Sequence, residues 1–496
     1  MKRKMMLNTV SSLAAQLVAV FCGFVIPRLI LDQFGSEVNG LTQSIKQFLT
    51  IISFLDLGVG QVIRSALYGP LAKKNWTQIS AVMASGKNFY HTLIKGMAVY
   101  VVVLTIAYPI LTKQNFSWIY TASLIAAMSI SSFAQFYFGI LNDQLLQADQ
   151  RGYILYSCQI ASNIANAVLC VVLIRFGGSI QGVKLLASMV FLLKALAIEF
   201  YIRKHYPLDR KIRYTGDPVK QKWHGVAQHI SAVVLDGTDI IVLTLFSTLS
   251  NVSVYSVYYM VISSIQQLYQ SAAAGVQAAA GNLWAKGDRN AQEKMFDTAQ
   301  MCMHYVTIFL FSCIGLLIVP FIRVYTDGFV DADYIQPVFA TVLTVAYGIR
   351  CLRTPYNIWI LAAGDYKRTQ RCHIIAAALN LSISLVAVWL WGLLGVAIGT
   401  LIAMVYQTSW MAIYNIKHLL KRPWWNVAKQ FGVDFLTAAV ICLVASFVTM
   451  REVSYWGWFL MAVQVALIAV FVIVLSAVAF YRKQTMYLLK QGRKKG

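Results

Sequence analysis

Long apolar stretches follow one another along nearly the whole chain, and only short polar segments separate them. An α-helix needs roughly 20 mostly apolar residues to cross a bilayer, and the stretches reach or exceed that length. They are continuous rather than alternating, which is typical of membrane helices and not of barrel strands. We therefore predict an all-α integral membrane protein with about fourteen transmembrane helices.

The predicted spans form two blocks of six helices, followed by two more at the C-terminal end. They cover approximately 8–31, 41–67, 88–111, 117–141, 152–174, 180–202, 223–247, 252–283, 299–322, 335–362, 370–391, 393–416, 429–449 and 455–481. This pattern predicts an N-lobe at 1–202, a basic cytoplasmic loop at 203–222, a C-lobe at 223–416, and a final segment at 417–496 with two helices and a basic tail.

The basic residues predict the orientation of these helices. With the N-terminus placed inside, the inner segments hold 30 of the 42 Lys and Arg residues, and the outer segments hold five: Lys113, Arg175, Lys184, Arg323 and Arg451. This asymmetry follows the positive-inside rule and predicts a multi-pass protein of the cytoplasmic membrane with both termini in the cytoplasm. The net charge of +23 is thereby explained by topology and attraction to membrane lipids, so we expect no nucleic-acid partner.

The loops offer no room for a catalytic domain, since the largest outer one is about 323–335. The seven histidines show no paired spacing, and no phosphate-binding glycine loop or serine nucleophile elbow is present. The eight cysteines are scattered singly, as small apolar helix residues are. We expect neither an enzyme nor a bound cofactor.

Three basic residues lie within the first two predicted membrane spans: Arg28, Lys46 and Arg64. Lys46 and Arg64 are 18 residues apart, which is five turns of one helix, so they are predicted to share a face. Charges inside a membrane are costly and often mark a substrate pathway. Two interpretations remain open: a cavity lined by cations that binds an anionic head group, or long side chains that extend to the membrane surface.

Three acidic candidates accompany these cations. Asp56 lies deep in the second span beside Gly58 and Gly60, and either pairs with Arg64 or acts as a functional acid. Asp236 and Asp239 are three residues apart and are predicted to lie on one face near mid-membrane. Two neighbouring carboxylates raise each other's pKa or bind a cation, so they are candidates for Na⁺ or H⁺ coupling.

Arg350 and Arg353 give these carboxylates another interpretation. They are also three residues apart and precede Pro355, which predicts a kink. They either bind a substrate phosphate or neutralise Asp236 and Asp239. The remaining charges of the spans are predicted to lie near inner membrane surfaces: Lys95, Lys194, Glu199 and Asp434.

An internal echo supports the division into two blocks. SEVNGLTQSIKQFL begins at Ser36, and SNVSVYSVYYMVISSIQQLY begins at Ser250. Six helices separate the two copies, so both start on the same side of the membrane. This predicts parallel repeats, as some transporters have.

Three segments of the sequence resemble a known family. PRLILDQFGSEVNGL (Pro27–Leu41) and FLDLGVGQVIRSALYGPLAKK (Phe54–Lys74) resemble the first helices of Wzx-type polysaccharide flippases. LDGTDIIVLTLFSTLSNVSVYSVYY (Leu235–Tyr259) resembles their seventh and eighth helices. These flippases belong with the MurJ lipid II flippases and the MATE exporters to the MOP superfamily.

The resemblance implies two six-helix lobes around a central cavity and transport by alternating access. It implies that cations such as Arg28 and Arg64 bind the pyrophosphate of an undecaprenyl-linked oligosaccharide repeat unit, which is carried to the outer leaflet for polysaccharide biosynthesis. Asp236 or Asp239 together with Asn380 would match a sodium site of some relatives, although the eleventh helix here lacks their aspartate. A polymerase and glycosyltransferases would be partners. The alternative is a MATE-like multidrug or cation antiporter, which favours an acidic, aromatic cavity.

Overall fold

Every regular element in the described part of the chain is helical, in a computed structural model that describes residues 2–51, 59–112, 116–209, 212, 226–482 and 484. The α-helices are α1 (Lys2–Ile51), α2 (Val59–Ala72), α3 (Trp76–Thr112), α4 (Trp118–Ala134), α5 (Ile140–Ala148), α6 (Gly152–Arg175), α7 (Ile180–His205), α8 (Val226–Phe246), α9 (Leu249–Lys286), α10 (Arg289–Tyr325), α11 (Pro337–Leu352), α12 (Thr354–Ala363), α13 (Tyr366–Trp391), α14 (Leu393–Tyr414), α15 (Trp425–Ala445) and α16 (Tyr455–Phe480). Ten helical segments among these residues are long and apolar enough to cross a membrane. The predicted multi-pass, all-helical membrane fold is confirmed.

Local irregularities shape several of these helices. Gly35 has a φ of 79° and divides α1 into two helices, a conformation that glycine adopts at little cost. Pro355 lies in the first turn of α12, where α11 ends, so the predicted kink is present. Short π-helices follow α4 at Gln135–Gly139 and α14 at Asn415–Leu420.

The chain divides into two compact units. Unit 1 comprises Met1–Val233 and Thr248–Ser253, and unit 2 comprises Val234–Ser247 and Val254–Gly496. In unit 1, α1 packs on α6, α2 on α5 and α4 on α7, around a core that extends through all of these helices. In unit 2, α13 and α14 form a tight hairpin, α11 packs on α14, and the last two helices pack on α10.

The first four residues of the second echo copy, Ser250–Ser253, belong to unit 1 and contact the first copy there. The Asn39 side-chain amide donates a 2.7 Å hydrogen bond to the Ser253 hydroxyl. These two residues hold equivalent places, three positions after Ser36 and Ser250. Beside them, a Cβ on Gly40 would lie 1.9 Å from the Leu249 carbonyl oxygen. Only glycine permits so close a crossing of the two helices.

A buried hydrogen-bonded pair joins α15 to α10. His304 Nδ1 lies 2.5 Å from an Asp434 carboxylate oxygen, and both side chains are almost inaccessible. The Gln430 amide donates to the other oxygen of Asp434 at 2.9 Å, and the Tyr481 hydroxyl in turn donates to Gln430 at 2.7 Å. Asp434 was predicted to lie near an inner membrane surface; it is buried against α10, and its depth in the membrane stays a prediction. Position along the span could not reveal a partner 130 residues earlier in the chain.

We expect Gly395→Ala to loosen the α13–α14 hairpin. A Cβ there would lie 2.1 Å from the Ala387 carbonyl oxygen, which the backbone cannot relieve without moving one helix. The cost should be about 1–3 kcal/mol of unfolding free energy, measured as a lower melting temperature of the detergent-solubilised protein. The matched control is Gly275→Ala in α9, where no atom lies within 4 Å of the new Cβ. Equal melting temperatures for the two variants would contradict the close packing.

We expect His304→Leu or Asp434→Leu alone to destabilise the protein by about 3–5 kcal/mol, because each leaves the other group buried without its partner. The double variant should be less destabilised than either single variant, since it leaves no such group behind. Melting temperatures of the wild type and the three variants form the complete cycle. Additive effects would show that the two groups do not interact.

Candidate functional site

Four candidate cations of unit 1 lie on three helices: Arg28 and Lys46 on α1, Arg64 on α2 and Lys184 on α7. Arg28 follows Pro27 in the first half of α1 and is half-buried, whereas Lys46 lies in the second half and is exposed. Lys184, which the sequence analysis counts with the outer residues, lies in the second turn of α7. The charge of Lys46 acts on Lys184 electrostatically. Two lysines that lie 138 residues apart in the sequence thus influence each other electrostatically in unit 1.

No described residue forms an ion pair or a hydrogen bond with the ammonium group of Lys46 or Lys184. The group near Lys184 is the buried thiol of Cys170, which is neutral in its ordinary state. Like charges brought together inside a membrane protein are unfavourable unless an anion joins them. Lys184 lies four residues after the start of the predicted span 180–202, and that position within a span was the signal that could have identified it.

Arg64 has a protein partner. Its Nε donates a 2.7 Å hydrogen bond to the side-chain oxygen of Gln144 in α5, and the carboxylate of Asp143 also acts on it electrostatically. A Cβ on Gly60 would lie 3.0 Å from the Gln144 amide nitrogen, so glycine there makes room for the contact. Arg64 is therefore anchored, and Lys46 and Lys184 are the stronger candidates for binding a mobile anion.

Two predictions on the second span concern residues outside the described ones. Asp56 lies within 52–58, so its pairing with Arg64 stays a prediction. The same gap separates Lys46 from Arg64, and the shared helical face predicted for them is likewise untested.

The structure shows the surroundings of the other charges that were predicted to lie near inner membrane surfaces. Lys95 is exposed on α3, and the Lys194 ammonium donates to the side-chain oxygen of Gln159. Glu199 accepts from Asn142 at 2.8 Å and pairs with Arg203 at 2.9 Å.

In unit 2, Asp239 belongs to a buried network of oxygen-bearing side chains. One carboxylate oxygen accepts hydrogen bonds from the hydroxyls of Tyr255 at 2.7 Å and Thr400 at 2.8 Å. The Asn380 amide donates to the Thr400 hydroxyl at 3.0 Å, and its oxygen accepts from Thr238 at 2.7 Å. Asp239 and Asn380, which are 141 residues apart in the sequence, thus converge on Thr400 from two helices. Tyr255 and Thr400 were not among the predicted site residues, because a lone hydroxyl in an apolar span is an ordinary packing residue.

The chemistry of this network fits a small hard cation or a proton. It offers one carboxylate, one amide oxygen and several hydroxyls, and hard cations prefer oxygen ligands. The side chain of Asp236 lies outside the described part, so the predicted pairing of two carboxylates is untested. Among the described residues, no group of three or more His, Cys, Asp and Glu could hold a metal. A transition-metal site therefore has no support in that part of the chain.

Arg350 and Arg353 lie where α11 ends, in unit 2. The Arg350 guanidinium lies 5.8 Å from the centre of the Tyr347 ring, a cation–π contact. Arg353 acts electrostatically on Cys372 and His373 of α13. The assignment of either arginine to a substrate phosphate remains a prediction.

Sodium ions should stabilise the purified protein if the Asp239 network binds them. At a concentration ten times Kd, one bound ion adds about 1.4 kcal/mol to the free energy of unfolding. We expect NaCl to raise the melting temperature above that in choline chloride of equal ionic strength. Thr400→Val should abolish this difference, whereas Thr400→Ser, which keeps the hydroxyl, should retain it. No difference between the salts in the wild type would exclude a sodium site.

Comparisons with known proteins give a structural match but no match in sequence. No family model matches the chain, and no curated protein matches it. A structure of the lipid II flippase MurJ in an inward closed conformation is similar with a TM-score of 0.72 and 15% identity, covering 96% of this chain and 99% of that one.

Two MATE structures are also similar. An inward-facing multidrug resistance MATE family transporter of the MOP superfamily has a TM-score of 0.64 and 13% identity, over 82% of this chain and 97% of its own. The eukaryotic MATE transporter AtDTX14 has a TM-score of 0.63 and 13% identity, over 88% and 98%. At such low identity the similarity concerns the fold. The chain has the helical fold that the MurJ flippase and the MATE transporters of the MOP superfamily share.

Proposed function

We propose that the protein is a transporter that moves undecaprenyl-pyrophosphate-linked oligosaccharide repeat units from the inner to the outer leaflet of the cytoplasmic membrane. The proposal is carried by Lys46 and Lys184 in unit 1, whose charges act on each other and whose ammonium groups form no ion pair or hydrogen bond with a described residue. Two ammonium groups without a bonded carboxylate among the described residues are suited to a substrate that brings two negative charges, as a pyrophosphate does.

The fold supports a lipid-linked substrate. One structure with this fold is described as a lipid II flippase, and lipid-linked precursors share a polar head on a long apolar chain. A repeat unit of this kind is made by glycosyltransferases and consumed by a polymerase, which would be the partners of the transporter.

The Asp239 network is the proposed coupling site. A cation bound there would supply the positive charge that balances the buried carboxylate. Thr400 would respond to its arrival, because its hydroxyl contacts both Asp239 and Asn380. Binding and release would then alter the contacts among α8, α13 and α14, and so bias one conformation of unit 2 over another. Alternating access with Na⁺ or H⁺ coupling is the mechanism we propose.

The alternative is a MATE-like cation antiporter, since two of the similar structures are MATE transporters. A cationic substrate would be repelled by Lys46 and Lys184. It would instead need a carboxylate available for exchange, such as Asp239.

The first experiment measures lipid-linked oligosaccharide in cells depleted of this protein, with a membrane-impermeant probe to assign the leaflet. Intermediates should accumulate on the inner leaflet. Lys46→Gln and Lys184→Gln should each lower the flipping rate roughly tenfold or more, because a hydrogen bond to a charged group contributes about 1.5–3 kcal/mol.

Lys46→Arg, which keeps the charge, should restore most of the activity. Lys74→Gln, at an exposed cation outside the cluster, serves as the matched control and should leave flipping unchanged. Unchanged intermediates together with greater sensitivity to cationic drugs would refute the flippase and favour the antiporter.

A further inference from the structure

A second basic site lies in unit 1, apart from Lys46 and Lys184. A cavity of about 520 Å³ opens between α3, the α5 region and α7, and the residues following α7 close one side of it. It lies at the end of these helices that the sequence analysis assigns to the cytoplasm. The proposed transport uses none of its residues.

The α3 wall of the cavity carries basic side chains at helical spacing. Lys87 and His91 are four residues apart and both line the cavity, and the charge of Lys95, one turn further, also acts on His91. The His91 ring stacks on Tyr137 with centroids 5.0 Å apart, which fixes its orientation. Its Nε2 is buried and has no hydrogen-bond partner among the described residues. A ligand acceptor atom would satisfy this nitrogen.

The opposite wall holds an oriented arginine. Arg203 Nε donates to one oxygen of Glu199 at 2.9 Å, and the Asn142 amide donates to the other oxygen at 2.8 Å. Both carboxylate oxygens of Glu199 thus accept hydrogen bonds, and Glu199 fixes the orientation of Arg203. The two terminal nitrogens of the guanidinium form no hydrogen bond with a described residue, so they are available to a phosphate.

The remaining surface of the cavity is largely apolar. Met83, Phe138, Leu141 and Ile202 line it beside the basic groups. Asp209, the other acidic residue of the lining, is exposed, and its backbone amide donates to the Ser80 hydroxyl at 2.9 Å. Cations next to an apolar surface between transmembrane helices suit an anionic head group with acyl chains better than a free anion.

We propose that this cavity binds the phosphate head group of an anionic membrane phospholipid. Lys87 and Arg203 hold the phosphate oxygens, His91 Nε2 donates one further hydrogen bond, and the apolar surface contacts the start of the acyl chains. The cavity shares no residue with the proposed transport site, and this proposal stands whether or not the transported molecule is the one proposed above.

The test is native mass spectrometry of the full-length protein with phosphatidylglycerol or phosphatidylcholine added to the detergent. The wild type should retain one phosphatidylglycerol and little phosphatidylcholine. Lys87→Gln should weaken retention about fivefold, the effect of losing one basic residue at an anionic membrane surface, and Lys87→Arg should restore it. Ala84→Phe fills the cavity without changing any charge and should abolish retention.

The matched control is Lys73→Gln, which removes an exposed cation outside the cavity and should leave retention unchanged. Equal retention of phosphatidylglycerol by the wild type, Lys87→Gln and Ala84→Phe would overturn the proposal. Glycerol phosphate binding as tightly as phosphatidylglycerol would overturn the lipid as occupant and assign the cavity to a soluble phosphate compound.

Discussion

Polar groups inside a membrane must find their partners in the protein, because lipid offers neither donors nor acceptors. In this chain two of the helix packings illustrate that constraint. Arg64 bonds Gln144 where α2 packs on α5, and Asp434 pairs with His304 where α15 packs on α10. Lipid-facing apolar residues can be exchanged for one another with little effect, whereas each of these pairs specifies one helix as the neighbour of another.

The two units differ in the charge that they leave to be satisfied. Unit 1 brings together cations, Lys46 with Lys184, and adds the basic cavity of Lys87 and Arg203. Unit 2 surrounds a single carboxylate, that of Asp239, with neutral oxygens. We propose that an anion binds in the first unit and that a cation binds at Asp239 in the second. A transporter that exchanges an anionic lipid-linked substrate against a cation would require this division.

The sequence predicts the helices well and their pairings poorly. Apolar length was sufficient for the helices, because it is a property that each segment carries by itself, whereas the orientation inferred from the basic residues stays a prediction. Asp239 and Asn380 were proposed together only through a family resemblance, and nothing in the spacing indicated Thr400 as the residue between them. Lys184 and the His304–Asp434 pair were missed for the same reason, since a charge in a sequence does not reveal which distant helix will face it.

The pair of His304 and Asp434 also concerns how the protein is made. α10 leaves the ribosome before α15, so His304 enters the membrane when its partner has not yet been synthesised. A histidine can cross that interval as a neutral imidazole, whereas an aspartate in its place would be a bare anion in lipid. Asp434 is synthesised second, when the His304 imidazole is already in the membrane. With this order of the two residues, no unpaired Asp434 carboxylate is in the membrane before His304 is present. A polypeptide that stops before α15 has His304 without its hydrogen-bond partner.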